Sequence, residues 1–330
     1  KKKLIGTAEK FYLKNGEPYK AGSIFKAPMQ AEVLKQIANQ GSKGFYQSEI
    51  TVDLVDSLNE MGGLHTLTDF ERVDVQYVDP VYADLKDGST LIELPPNGQG
   101  ITAIMMKKLM EICNINRFDS GSFERVHLEA EIAKIAYSAR NNFIGDPIFS
   151  EIKQDVFLKN SYLEELAGKI SFGEMLGDEK KEDFFRRNKD TVLICAADSA
   201  GNAISLIFST FHAFGSGLCS KKYGLLFHNR GAGFVLKNKH PNELIGGKRP
   251  LHTIIPAILK EKNGSIMPFG VMGGQYQANG HARILSNIKD YGMGLQEALN
   301  FPRSFYFDGI LSLERGYPKA TMEKLREIGY

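Results

Sequence analysis

Cysteine is scarce: the 330 residues hold only Cys113, Cys195 and Cys219, too few for a disulfide framework. Cys195 falls in an apolar, strand-like run and reads as a small packing residue. Long apolar runs are missing too, so no stretch reaches the length of a membrane-spanning helix. Lys1-Lys2-Lys3 is followed by no apolar segment of the signal-peptide kind; the expectation is a cytoplasmic protein with no membrane partner. Basic excess is absent: 41 Lys and Arg against 39 Asp and Glu leave a formal charge of +2, which argues against a nucleic-acid partner. No glycine-rich phosphate fingerprint follows a strand, so no nucleotide cofactor is expected. His127 and Glu131 stand at i, i+4, but no third ligand follows at metal spacing, so no metal is expected and the pair reads as a solvated or ion-paired face. Glu129 and Glu131, alternating with apolar residues, read as exposed carboxylates.

What is present is an ordinary globular composition, 42% hydrophobic and 24% charged. Helical spacing marks residues 28–40, with Pro28 suited to the first position and Gly41 to the C-terminal cap. Further helices are expected over 45–61, over a short stretch capped by Thr68, and over 101–113, 123–141, 160–170 and 180–187. A hairpin is expected within 74–94, turning near Asp87. From Thr191 the texture changes to strands, at 192–197, 203–211, 224–228, 254–259, 266–272 and 311–314, with Asn263-Gly264 as a hairpin turn. Residues 281–291 and 295–300 read as helices among them. Helices followed by a mainly antiparallel block point to an α+β layered sandwich. The expected division is 1–190, mainly helical, and 191–330, rich in strands, together forming one catalytic domain.

Thr191 heads the first strand of that block. A threonine hydroxyl is a poor nucleophile and needs an adjacent base. If the Asp190–Thr191 bond were cut, the new α-amine, with an ordinary pKa of roughly 8, could serve. Composition alone favours a structural Thr, and the wider pattern has to decide.

That pattern is Thr191, Asp198-Ser199-Ala200-Gly201-Asn202-Ala203, Phe214-Gly215-Ser216-Gly217, Gly224-Leu225-Leu226 and Phe234. Downstream follow Gly247-Lys248-Arg249-Pro250-Leu251, Pro256, Gly273-Gly274, Asp290-Tyr291-Gly292 and Pro302-Arg303. Upstream stand Gly41-Ser42-Lys43-Gly44, Gly98-Gln99-Gly100 and Gly145-Asp146-Pro147. In this order they resemble the γ-glutamyltransferase (glutathione hydrolase) family of N-terminal-nucleophile hydrolases, over nearly the whole chain.

The resemblance implies a four-layer αββα sandwich that cleaves itself before Thr191 into a heterodimer, which could dimerise further. Thr191 would be the nucleophile, Ser209 the hydroxyl that holds its amine, and Gly273 and Gly274 the oxyanion donors. His252 and Thr253 match two substrate-contacting serines. Where the family has an acidic residue for the substrate's amine, this chain has Gly233; Phe211 replaces a substrate-contacting Asn, and Arg230 offers a fork for a carboxylate. Arg230 could equally be a surface or ion-paired residue. These departures resemble a divergent γ-glutamyltransferase-like branch. The family also carries a segment ahead of Lys1, with a carboxylate-binding arginine, and strands beyond Tyr330. The expected activity is cleavage of a γ-glutamyl, glutathione-type amide through an acyl-Thr191 intermediate, with transfer to water or an amine and without a cofactor; the expected partner is a small glutathione-like or other acidic amide. The alternatives are an acylase or amidohydrolase for another carboxylated amide and an inactive, uncut scaffold.

Overall fold

The computed structural model describes residues 4–150, 154–177 and 190–330, with the side chains of 154, 155 and 190 left aside. The helix expected over 180–187 lies outside these residues. The chain forms two compact units, Lys1–Tyr77 with Thr210–Arg230, and Val78–Ser209 with Gly231–Tyr330.

The first unit contains α1 (Thr7–Tyr12), α2 (Pro28–Gln40), α3 (Lys43–Tyr46), α4 (Glu49–Glu60) and α5 (Leu67–Glu71). α2 has the bounds its apolar spacing dictates, with Pro28 at its first position. The single helix expected over 45–61 is instead two, α3 and α4. Ser48 is extended and its hydroxyl accepts from the Ile50 amide, so it caps a new helix rather than continuing the old one. α5 is capped by Thr66, not Thr68: the Asp69 carboxylate accepts from the Thr66 backbone amide. Val33, Ile50, Leu54 and Tyr223 form one small core, and Leu4, Ala8, Leu13 and Cys219 another. The strand expected over 224–228 is replaced by loop. Gly224, at φ +66°, lies against the Phe11 ring, and its carbonyl accepts from the Tyr12 hydroxyl at 2.7 Å.

The second unit contains β1 (Val81–Asp84), β2 (Thr90–Glu93), α6 (Gly100–Ile112), α7 (Phe123–Phe143), α8 (Asn160–Ala167), β3 (Asp190–Ala197) and β4 (Ala203–Phe211, whose last two residues belong to the first unit). β5 (Ala257–Lys260), β6 (Ile266–Phe269), α9 (Tyr276–Lys289), α10 (Leu295–Asn300), β7 (Ser304–Phe307), β8 (Ile310–Leu313) and α11 (Lys319–Glu327) complete it. The fold is α+β, as the texture of the sequence indicates. One antiparallel sheet runs β1-β2-β5-β6, with Leu91 opposite Leu259; β3-β4 and β7-β8 are two-stranded. α6 is apolar nearly all round and sits in the core with Leu128, Ile132 and Ala136 of α7 and Ala278 and Ala282 of α9. β5 begins at Ala257, later than expected, because Pro256 has no N–H to give a ladder. β7 and α11 were not expected.

α7 corrects two sequence readings. Glu129 and Glu131 are buried, not exposed. Glu129 accepts from Arg125 Nε at 2.9 Å and from Arg283 and Ser304, while Glu131 pairs with Lys134 at 2.9 Å. His127 is likewise buried, with its ring nitrogens against the Ser171 carbonyl and the Tyr330 hydroxyl. The pair is therefore interior rather than solvated, and of the two expected readings the ion-paired one holds for Glu131. Among the described residues no group of three or more His, Cys, Asp or Glu could hold a metal ion, and no helix is long and apolar enough to cross a membrane.

Candidate active site

Alternation along β3 buries Thr191, half-buries Leu193 and exposes Val192 and Ile194. β4 turns Ser205, Ile207 and Ser209 to its less exposed side and shows Ile204, Leu206 and Phe208 to solvent. The turn between the strands is set by Asp198, whose carboxylate accepts from the Ala200 and Asn202 amides, and by Gly201 at φ +86°. Thr191, 9% exposed, thereby faces Ser209, and its hydroxyl donates to the Ser209 hydroxyl oxygen at 3.3 Å. That separation is longer than the roughly 2.7 Å usual for O–H···O, so the pair is adjacent but not tightly bonded.

β3 lies beside the exit of β6. The Leu193 side chain comes within 2.9 Å of where a Cβ would stand on Gly270, so any larger residue there would displace it. His281 of α9 approaches the same position, with Nε2 at 3.6 Å, and its Nδ1 is 2.7 Å from the buried Glu93 carboxylate, which burial pushes up from its ordinary pKa.

Gly273 and Gly274 follow in the loop that leads into α9. Their φ values, +123° and +60°, are backbone that L side chains avoid. The Gly273 carbonyl accepts from Tyr276 N at 3.1 Å and the Gly274 carbonyl from Gln277 N at 3.2 Å. Since the peptide is planar and trans, the Gly274 amide points opposite to the Gly273 carbonyl and away from the helix. Among the described residues neither glycine amide donates a hydrogen bond. Two such donors at the start of a helix suit a developing oxyanion.

Thr253 is 1% exposed and His252 half-buried, on a stretch that alternates into β5. The His252 amide donates to the Asn97 carbonyl at 2.8 Å, and its Nδ1 accepts from Ile254 N. Residues that sequence reasoning did not assign to the site tie this stretch to the glycine loop. Gln99 Nε2 donates to the carbonyls of Thr253 at 2.8 Å and Gly274 at 3.2 Å. Arg140 Nη1 donates to Gln99 Oε1 at 2.6 Å and also to Gln275 Oε1. Burial pushes Arg140 down to about 10. Only the contiguous Gly98-Gln99-Gly100 was visible beforehand; the partners of Gln99 lie too far along the chain for any local pattern to join them.

Arg230 belongs to the first unit, whereas Thr191, Ser209, His252, Thr253, Gly273 and Gly274 belong to the second. Arg230 is 5% exposed, which rules out the surface reading. Its guanidinium lies 4.3 Å over the Phe211 ring, which stacks on His212 at 4.7 Å. Burial lowers Arg230 to about 10 and, with the Arg230 charge, depresses His228. Phe211 itself has φ +76°, a strained backbone for an aromatic residue. Gly233 has no such requirement. A Cβ there would meet the Leu251 carbonyl at 3.4 Å, an ordinary contact, so space does not demand glycine.

A family model described as gamma-glutamyltranspeptidase matches residues 2–330. The glutathione hydrolase-like YwrD proenzyme of Bacillus subtilis is 28% identical over 326 residues, 97% of this chain and 61% of that protein. The oxamate amidohydrolase proenzyme of Klebsiella pneumoniae is 29% identical over 328 residues, 97% of this chain and 60% of that protein. The crystal structure of cephalosporin acylase from Bacillus halodurans matches with a TM-score of 0.85 at 28% identity, over 97% of this chain and 58% of that one. The chain thus spans about 60% of the length of these curated relatives.

Proposed function

The chain belongs to the γ-glutamyltranspeptidase family, and from that premise we propose that it is a self-processing hydrolase whose nucleophile is Thr191. The observation that carries this reading is the buried Thr191 hydroxyl at the head of β3, against Ser209. In processing, Thr191 Oγ1 attacks the Asp190 carbonyl carbon and the peptide becomes an ester. Water then hydrolyses the ester, leaving the Asp190 carboxylate on one subunit and a free Thr191 amine on the other. In turnover that amine takes the hydroxyl proton as Oγ1 attacks the substrate amide. The Gly273 and Gly274 amides receive the oxyanion; one such donor is worth about 3 kcal/mol. The leaving amine departs with the proton, and water, or a second amine, releases the acyl group from Thr191. That relatives of this chain are called proenzymes supports the processing step.

The acyl donor of first choice is a γ-glutamyl amide of the glutathione type, with the substrate carboxylate met by His252 and Thr253. A second reading is favoured by Gly233: no carboxylate stands there for an α-ammonium, and burying an unmatched charge is strongly disfavoured. On that reading the enzyme is an acylase or amidohydrolase for a carboxylated amide without an amine, and hydrolysis dominates over transfer. A panel of glutathione, oxamate and an acylated cephalosporin, assayed for amine or ammonia release, tests both. Release from at least one that disappears in Thr191→Ala is expected; fast glutathione turnover removes the second reading, and no release from any contradicts the proposal.

A further inference from the structure

Two adjacent glycines give a loop the freedom to miss its target as easily as to meet it. For Gly273 and Gly274 to act as fixed donors, something outside the loop must remove that freedom. We propose that Gln99 and Arg140 form a buried clasp that sets the position of the Gly273-Gly274 loop relative to the Thr253 stretch, and are positioning residues for acyl transfer. The proposal rests on the reading of these glycines as oxyanion donors.

Gln99 immediately precedes α6 and is fully buried. Its amide nitrogen gives one hydrogen to the Thr253 carbonyl and the other to the Gly274 carbonyl, while its oxygen accepts from Arg140. Flipping the side chain would set its oxygen against two carbonyls and its nitrogen against a guanidinium, so the donor pattern admits one orientation. Arg140 is equally committed. Nη1 serves Gln99 and Gln275, Nε and Nη2 serve Asn141 Oδ1 at 3.0 and 2.8 Å, and the guanidinium lies 4.5 Å from the Tyr137 ring centre. The Tyr137 hydroxyl in turn donates to the Gln275 carbonyl. The loop is therefore held at the Gly274 carbonyl, the Gln275 carbonyl and the Gln275 side chain, while the Gly273 and Gly274 amides stay clear of the clasp. Gln99 thus joins the oxyanion loop to the stretch that carries His252 and Thr253.

Gln99→Glu is the discriminating variant. It preserves length and the Arg140 contact but replaces both donors with an acceptor. Gln99→Met removes both polar ends, and Arg140→Lys keeps the charge while losing the fork. Each is assayed as self-cleaved protein by the burst of nitroaniline from γ-glutamyl- or glutaryl-p-nitroanilide. Loss of an aligned oxyanion donor costs about a hundredfold in rate, so the expected burst rate constant falls by about tenfold to a hundredfold in both Gln99 variants. Arg140→Lys falls in between, with burst amplitude per mole unchanged and KM within about twofold of the parent. A smaller amplitude with an unchanged rate constant shows a folding role only and overturns the clasp. A burst that persists in Thr191→Ala, or a parent that hydrolyses neither anilide, overturns instead the reading on which the clasp depends.

Discussion

A hydroxyl at the end of a strand becomes a nucleophile only if its neighbours hold its base, and Ser209 is the neighbour Thr191 has. On the proposed mechanism Ser209 accepts from the Thr191 amine once that amine is free. Ser209→Ala is therefore expected to cleave itself more slowly and, once cleaved, to lose about tenfold in kcat, the equivalent of one hydrogen bond of roughly 1.4 kcal/mol. Single-turnover kinetics on cleaved protein check this, and an unchanged kcat would remove Ser209 from the mechanism. Thr191, Ser209 and Gly273-Gly274 were singled out through the resemblance to a family, not through any local pattern: on composition alone Thr191 reads as a structural residue. Gln99 and Arg140 were not, because their meaning lies in partners elsewhere, Gln99 bonding 154 residues on to Thr253 and Arg140 bonding 41 residues back to Gln99. Glu129 was misread for the same reason, its partner Arg283 being 154 residues away.

Helix α9 starts at Tyr276, five residues before the stretch expected from 281, and carries Gly280 inside it. Glycine ordinarily weakens a helix. Here the missing side chain is what lets the helix pack: a Cβ on Gly280 would stand 2.6 Å from Val271 Cγ2 and 2.8 Å from the Tyr276 ring. Val271 and Tyr276 bracket the glycine loop, so α9 and that loop fit together at this point. Gly280→Ala is expected to cost about 1–3 kcal/mol of stability through overpacking, despite alanine's better helix propensity. Chemical denaturation measures it, and a stabilised variant would contradict the packing. The strand block was legible down to the β3-β4 hairpin because alternation and Asp198-to-Asn202 turn chemistry agree. The 224–228 stretch failed because its apolar residues serve a loop held by Phe11 and Tyr12, which no local pattern records.

On the scale of the molecule, the second unit places ion pairs inside its core, and Glu129 is held there by both Arg125 and Arg283. Burial alone would raise its pKa, but Arg283 and Arg125 outweigh that and hold it below the ordinary value. A depressed carboxyl stabilises the fold above its unfolded pKa of about 4.3, and that contribution is lost as pH falls through the lower folded value. Glu129→Gln leaves two buried guanidinium groups short of a charge and is expected to cost about 3–5 kcal/mol at neutral pH. The gap should narrow progressively as pH falls below the unfolded value and Glu129 of the parent begins to take up a proton; denaturation at pH 7 and at successively lower pH tests both statements. The central claim concerns the covalent chain as a whole, and intact mass analysis with N-terminal sequencing of the purified protein tests it most directly. The account predicts two polypeptides, one beginning at Thr191, and a single uncut chain for Thr191→Ala. One uncut chain from the parent after prolonged incubation, or cleavage that survives in Thr191→Ala, would contradict it.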